Sequence, residues 1–256
     1  MRITYLHQYF NTPSMAGGTR SYEIARRLVA RGHEVNMITS WREDDGSKGW
    51  RETNEDGIRV HWYSVPYSNH MSYVARIVAF FRFALASGRK AGGMPADVIF
   101  ATSTPLTIVL PAALAKLLLR VPVVLEIRDL WPDVPYNMGV IRSRVLYFMG
   151  RVLERFAYLV SSRIVVLTPT MKDFLSGRGV DLSRIEVIPN FADLSDFEPG
   201  PNVDSIMGEE YKRLLYCGGL GPAHGPAFLV DIALEFYRRE EKIQIQVLGD
   251  GRLLNS

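Results

Sequence analysis

The sequence contains a single cysteine, Cys217, among its 256 residues. One cysteine excludes an internal disulfide and any metal site built from several cysteines. Other metal-binding patterns are missing as well, because the sequence has no Asp-x-Asp and no His-x-x-x-His motif. We therefore expect a protein of a reducing compartment that uses neither a metal ion nor a separate cofactor.

Long hydrophobic runs are also missing. Only four residues separate Arg2 from His7, whereas a signal peptide needs an apolar core of about 7–15 residues. Between Ser72 and Lys90, arginines interrupt the sequence, so each apolar stretch is much shorter than the roughly 18 residues of a membrane-spanning helix. These features favour a cytoplasmic protein.

Acidic residues are absent from Ile58 to Ala96, although the whole chain carries a net charge of only +3. So small a charge argues against a nucleic-acid partner. Residues 71–91 have the pattern of a long basic helix that contains Arg76, Arg82 and Arg89. Two interpretations stay open: peripheral contact with the inner face of the cell membrane, where the helix presents a lipid-linked acceptor, or a core-facing helix with its arginines outward.

Short apolar runs alternate with longer helical patterns along most of the chain. This alternation predicts an α/β protein with a Rossmann-like parallel sheet. Strands are predicted at 3–6, 34–38, 58–63, 97–101, 123–127, 163–167 and 185–190. The alternation in 58–63 is typical of an outer strand. One helix is predicted from Thr19, its cap, to Gly32, a second at 71–91, and a third that follows Pro105 and ends at about Arg120.

The pattern is interrupted after residue 192. We predict a first domain over 1–192, a linker over 193–210 and the first part of a second domain over 211–256. That second part contains only two predicted strands, 214–217 and 243–248, and one helix, 228–239. Because so few elements do not cover both faces of a parallel sheet, we expect an incomplete, truncated Rossmann-like domain.

Ligands of open α/β sheets bind beyond the carboxyl ends of the strands, which directs attention to the residues there. Gly17 and Gly18 precede a helix, where close backbone approach and free N–H groups suit a phosphate. Gly218, Gly219, Gly221 and His224 follow a later strand. They do not form a dinucleotide fingerprint, because His224 stands where a third glycine is needed. A phosphate-binding loop and a plain turn remain alternatives at both places.

The segment from Glu126 to Asp133 brings an arginine, two aspartates and a tryptophan to one strand end. Arg128 and Asp129 are candidate catalytic residues, because charged groups stabilise developing charge or orient an acceptor hydroxyl. Trp131 offers an apolar face to a sugar ring or lipid, and Asp133 is a second candidate for acceptor binding. The alternative is a structural pair between Arg128 and an acid.

These motifs together resemble glycosyltransferase family 4, with its GT-B fold, and in particular the bacterial subgroup that builds surface polysaccharides. The resemblance rests on Met15–Gly18, Arg31–Val35, Arg128–Asp133, Val187–Phe191 and Tyr216–Gly225. Departures from the family pattern are Gly219 and His224, where many members have Arg and Lys, and Arg128, where many have His. The family's pair of glutamates, seven residues apart, is expected beyond Ser256.

The resemblance implies retaining transfer of a sugar from a nucleoside diphosphate to a saccharide acceptor, expected to be lipid-linked, in cell-surface polysaccharide synthesis. The Gly17–Gly18 loop and the Gly218 to His224 loop are then expected to bind the leaving diphosphate from opposite walls of a cleft. Asp129 or Arg128 is expected to orient the acceptor. Two alternatives remain: an inactive fragment or half-subunit that binds acceptor or membrane only, and a sugar-nucleotide epimerase or oxidoreductase, whose nicotinamide fingerprint is absent.

Overall fold

The computed structural model describes residues 1–15, 17–43, 45–65, 73–103, 105–191, 212–221, 225–249 and 251, without the side chains of 73–77. The chain divides into two compact units, residues 1–191 and 192–256. The linker predicted at 193–210 lies outside the described residues.

The first unit is built on an eight-stranded sheet, in the order β3-β4-β2-β1-β5-β6-β7-β8. The strands are β1 (Arg2–Leu6), β2 (Glu34–Trp41), β3 (Trp50–Glu55), β4 (Ile58–Ser64), β5 (Val98–Thr102), β6 (Val123–Ile127), β7 (Arg163–Val166) and β8 (Ile185–Val187). All neighbours are parallel except β3, which is antiparallel to β4. The predicted α/β fold with a Rossmann-like parallel sheet is confirmed.

The prediction of an outer strand at 58–63 was wrong. That segment is β4, and β3 covers its outer side. Strand β3 was not predicted because its sequence is polar and contains no apolar run. Its signal is Asp56–Gly57, a two-residue loop in which both residues have positive φ, 49° and 84°, as hairpins of this kind require.

In the described part of the first unit, six α-helices accompany the sheet: α1 (Arg20–Ala30), α2 (Tyr73–Gly92), α3 (Val109–Leu119), α4 (Asp133–Asn137), α5 (Arg144–Val160) and α6 (Pro169–Gly177). The last three were not predicted. Two of them begin with strong local signals, since the side chains of Ser143 and Thr168 cap α5 and α6 by accepting from Leu146 N and Met171 N. Side-chain oxygens at these positions satisfy N–H groups that a helix start leaves unpaired.

The helices lie on both faces of the sheet. Consecutive strand residues point to opposite faces, and Tyr5 and Leu6 belong to two different apolar clusters. The cluster of Tyr5 contains Tyr22 of α1, whereas the cluster of Leu6 contains buried residues of α2, α3, α5 and α6. Helix α1 therefore covers one face, and α2, α3, α5 and α6 cover the opposite face.

Helix α2 satisfies part of each sequence interpretation of its segment. Phe83 and Ala84 are buried, as a core-facing helix requires. Phe81 and Leu85 are exposed, together with Arg82. Residues 71 and 72 lie outside the described residues. No helix in the described part of the chain is long and apolar enough to cross a membrane.

The second unit contains β9 (Lys212–Cys217), α7 (Ala227–Arg238) and β10 (Ile243–Leu248). The two strands are parallel and pair Lys212 with Ile243 through Cys217 with Leu248. These are the elements predicted from the sequence, within two residues at each end. Leu215 and Leu248 are largely exposed.

Candidate functional site

A cavity of about 320 Å³ lies in the first unit, beyond the carboxyl ends of β1, β6, β7 and β8. Its lining residues all follow strand ends or precede α1: His7, Tyr9, Asn11, Gly18, Arg128, Asp129, Leu167 and Asn190. The chain runs from β1 to β2 in one direction and from β5 to β8 in the other, so the strand order reverses beside β1. Such a reversal opens a crevice in which α/β proteins bind ligands. The structure thus brings Gly18, Arg128 and Asp129 together at one site.

The Gly17–Gly18 turn forms the wall of the cavity at the start of α1. Gly17 has φ of +128°, and a Cβ there would lie 2.5 Å from Nδ2 of Asn11. Only glycine fits such a position without strain. A Cβ on Gly18 would lie 3.9 Å from Nη2 of Arg128. The turn therefore places a guanidinium beside a helix N-terminus, and both attract anions. Thr19, expected to cap α1, makes no capping hydrogen bond with its side chain.

Arg128 is held by its backbone, which leaves its side chain directed to the cavity. Its N–H donates to Oγ of Ser103 over 3.1 Å. Among the described residues, no carboxylate forms an ion pair with its guanidinium, so the alternative of a structural pair with an acid is not observed there. Asp129, the next residue, is exposed at the same cavity.

His7 also lines the cavity, although the sequence analysis did not select it as a candidate site residue. Its side chain is only 2% exposed, and Nδ1 has no hydrogen-bond partner among the described residues. Burial, with the positive charges of Arg128 and Arg42, lowers its pKa to about 3. His7 is therefore neutral at physiological pH. Its place directly after β1, at a predicted strand end, was the available signal.

The buried state of His7 predicts a pH dependence of stability. Unfolding returns its pKa from about 3 to 6.5, so the unfolded state binds more protons between these values. Stability is full above pH 6.5 and falls as the pH falls below it, by at most about 1.4 kcal/mol per pH unit. We expect a shallower loss in His7→Gln, measured by urea unfolding from pH 7 to 4. The pKa of His61 is also lowered, but its contribution is common to both proteins, and parallel curves would contradict the prediction.

An ion pair between Arg20 and Glu126 lies behind the cavity wall. Nε of Arg20 and Oε1 of Glu126 are 2.9 Å apart, and the two side chains are 6% and 0% exposed. The remaining guanidinium nitrogens donate to the backbone oxygens of Pro189, at 2.6 Å, and Ile188, at 2.9 Å. Arg20, the first residue of α1, therefore ties that helix to the end of β6 and to the chain after β8.

The other oxygen of Glu126 is also satisfied. The hydroxyl of Thr102 donates to Oε2 over 2.9 Å and lies 3.1 Å from the hydroxyl of Tyr5. Burial and the nearby carboxylate raise the pKa of Tyr5. This network crosses three neighbouring strands and joins the start of α1, which follows the Gly17–Gly18 turn, to the strand that precedes Arg128.

Trp131 and Asp133 do not line the cavity. Trp131 is 40% exposed and precedes a cis peptide bond to Pro132. The carboxylate of Asp133 accepts hydrogen bonds from Arg178 at 2.7 Å, the Tyr147 hydroxyl at 2.9 Å and Arg151 at 3.3 Å. These contacts join α4 to α5 and to the end of α6. These contacts give Asp133 a structural role, and its part in acceptor binding stays a prediction.

The glycine loop of the second unit follows β9. The Tyr216 hydroxyl donates to the backbone oxygen of Gly219 over 3.0 Å. A Cβ on Gly249 would collide with the backbone of Gly218, so the segments after β9 and β10 approach closely. Gly221 is described, whereas His224 lies outside the described residues. Phosphate binding by this loop stays a prediction.

A doubly wound α/β domain with a polar crevice at its strand ends, lined by Arg128 and Asp129, defines a Rossmann-like protein with the usual ligand-binding position of this class. Residues 16–190 match the family model described as glycosyl transferase 4-like domain. The chain therefore belongs to this family and is a glycosyltransferase by kinship. No curated protein sequence matches the chain.

Solved structures share the GT-B fold. Sucrose-phosphate synthase from Thermosynechococcus elongatus superposes with a TM-score of 0.67 at 12% identity, over 96% of this chain and 70% of that one. Trehalose-6-phosphate synthase from E. coli bound with UDP-2-fluoro glucose superposes with a TM-score of 0.68 at 14% identity, over 98% of this chain and 65% of that one. Anabaena HepE in complex with UDP-glucose superposes with a TM-score of 0.62 at 15% identity, over 100% of this chain and 62% of that one. The chain thus spans about two thirds of the length of these proteins.

Proposed function

We propose that this chain supplies the acceptor side of a retaining glycosyltransferase that moves a sugar from a UDP-sugar to a hydroxyl of a saccharide. The observation that carries the proposal is the cavity that unites Gly18, Arg128 and Asp129. The family supports sugar transfer, and two similar structures contain UDP-sugars or an analogue. The residues of the cavity fit the chemistry that such a reaction needs.

Breaking the bond between the sugar and the diphosphate leaves negative charge on the diphosphate oxygen. Preorganised positive groups stabilise such charge as it develops. Arg128 and the N-terminus of α1 provide these groups on one wall of the cavity. The carboxylate of Asp129 accepts the hydrogen of the attacking hydroxyl and orients its oxygen. Neutral His7 adds a hydrogen-bonding side chain without another positive charge.

The finer terms of the proposal concern the acceptor and the requirements of the reaction. We propose a lipid-linked saccharide as acceptor, in the synthesis of cell-surface polysaccharide. Trp131, two residues after Asp129 in the sequence, does not line the cavity, but its exposed ring supports the proposal as an apolar surface for such an acceptor. Gly218, Gly219, Gly221 and His224 are proposed to bind the donor diphosphate. No metal ion is proposed to take part.

Release of UDP from a panel of UDP-sugars tests the proposal. We expect release by the wild-type chain, alone or with a second polypeptide of the same enzyme, and no loss in EDTA. Asp129→Asn preserves the shape of the side chain but removes its charge, and general-base or orienting groups contribute roughly 10²–10⁴-fold to rate. We expect kcat to fall within this range, with donor binding unchanged. An unchanged kcat removes Asp129 from the mechanism.

The alternative is a chain that binds an acceptor or a membrane without turnover. It predicts no UDP release in any combination, even though a saccharide acceptor shifts the melting temperature or the chain binds lipid vesicles. Release that depends on a second polypeptide instead indicates a split enzyme. Release by the chain alone eliminates the alternative.

A further inference from the structure

Helix α5 has an apolar side that faces outward. Six large apolar residues on it are between 39% and 71% exposed: Val145, Phe148, Met149, Val152, Phe156 and Leu159. Their spacings of three, four, seven, eleven and fourteen residues from Val145 place them on one side of the helix. The opposite side is buried on the sheet through Ala157 and Tyr158. A helix of a globular domain normally turns its polar side to solvent, so this exposed apolar side marks an interaction surface.

The neighbouring helices extend this surface. Leu117 of α3 is 74% exposed, and an apolar cavity of about 950 Å³ separates α3 from α5. Its walls include Leu114, Leu117, Phe156 and Leu159. Helix α2 packs beside α3 and exposes Phe81. The outward sides of α2, α3 and α5 therefore form one helical face, on the side of the sheet away from α1.

The charges on this helical face have one sign. The sequences of α2, α3 and α5 contain a single acidic residue, Glu154. It is buried, where it pairs with Arg151 over 2.6 Å and accepts from the Tyr158 hydroxyl over 2.7 Å. The exposed arginines of the face and its edge are Arg82, Arg89, Arg120, Arg144 and Arg155. Within the described residues none of these arginines has a carboxylate partner.

We propose that the helical face of α2, α3 and α5 docks on an anionic lipid surface, with α5 at its centre. Large apolar side chains flanked by arginines enter the boundary between headgroups and acyl chains, while the arginines bind the lipid phosphates. A second copy of this chain is disfavoured because it would oppose two basic surfaces. The inference moves the predicted membrane contact from 71–91 alone to a face centred on α5, and it extends the proposed function by bringing a lipid-linked acceptor to the transferase.

Flotation with vesicles tests this surface without any donor or acceptor, so its outcome is independent of sugar transfer. We use vesicles of phosphatidylcholine and vesicles with phosphatidylcholine and phosphatidylglycerol in a ratio of about 7:3, since anionic lipids attract each nearby arginine. The wild-type chain is expected to bind the anionic vesicles and to dissociate as salt rises. Arg144→Glu with Arg155→Glu should lower binding by about tenfold or more. Arg155→Glu alone should also lower binding, whereas Arg31→Glu, the same single charge reversal after α1 on the opposite face, is its matched control and should bind like wild type.

A second variant tests the apolar contribution. Phe148→Ser with Val152→Ser changes two exposed residues, so its melting temperature should stay that of wild type while vesicle binding falls. Absence of wild-type binding to anionic vesicles would overturn the proposal. So would equal losses in the Arg31→Glu control, or a dimer that Phe148→Ser and Val152→Ser dissociate without any change in vesicle binding.

Discussion

Arg128→Ala is expected to slow sugar transfer by roughly 10²–10³-fold, the cost of removing one preorganised group that stabilises charge in a transition state. The guanidinium lies beside the start of α1, where the proposed diphosphate gains its charge. In the described part of the chain no carboxylate neutralises it. The measurement is kcat from UDP release at saturating donor, with the enzyme assembled as in the test of function.

Two controls separate this role from a structural one. Arg128→Lys retains a positive charge but loses the planar fork that binds two oxygens, so we expect an intermediate rate. Stability should change little in either variant, because the contact with Ser103 is made by the Arg128 backbone N–H. A wild-type rate in Arg128→Ala, or a loss of rate that follows a loss of melting temperature, contradicts the proposed role.

Glu126→Ala is expected to lower the free energy of unfolding by about 3–5 kcal/mol, the usual cost of breaking a buried ion pair by removing one partner. The change leaves the guanidinium of Arg20 buried without its carboxylate. It also removes the acceptor of the Thr102 hydroxyl. Urea unfolding of the first unit, followed by tryptophan fluorescence, measures the loss, since all four tryptophans lie within residues 1–191.

The matched control is Asp97→Ala, which breaks the pair between Arg2 and Asp97 at 2.7 Å on the surface. Exposed ion pairs contribute little to stability because water and salt screen them. The loss of unfolding free energy in Asp97→Ala should therefore be much smaller than that in Glu126→Ala. Replacing both buried partners, Arg20→Met with Glu126→Leu, should recover a large part of the stability, since neither charge is then left unpaired. Equal losses in Glu126→Ala and Asp97→Ala would contradict the importance of burial.

Much of the fold follows from local sequence patterns. Buried parallel strands such as β5 contain short apolar runs, and such runs are visible without knowledge of their neighbours. Strand β3 was not predicted from the sequence, because an edge strand with polar residues has no apolar run to detect. Helix α5 was not predicted from the sequence, although Ser143 marks its start. The reason is that its outward side is apolar, whereas the usual pattern of a surface helix has a polar outward side.

The candidate site shows the same division. Gly17, Gly18, Arg128 and Asp129 were found from the sequence because each stands at a predicted strand end or helix start, and parallel strands bring such ends to one edge. Asp133 was assigned to the acceptor by its position in the same motif. Its three hydrogen-bond donors come from α5 and the end of α6, elements distant in sequence.

The amino-acid sequence by itself therefore determined the fold class, the family resemblance and the strand-end positions of the glycines and of Arg128 and Asp129, because these depend on short-range patterns. Only the tertiary structure decided that His7 is buried and neutral in the cavity, and that Arg20 pairs with Glu126, 106 residues away. It also decided that the apolar side of α5 faces outward. Burial, charge pairing and exposure depend on which distant segments come into contact, and a local pattern does not contain that information.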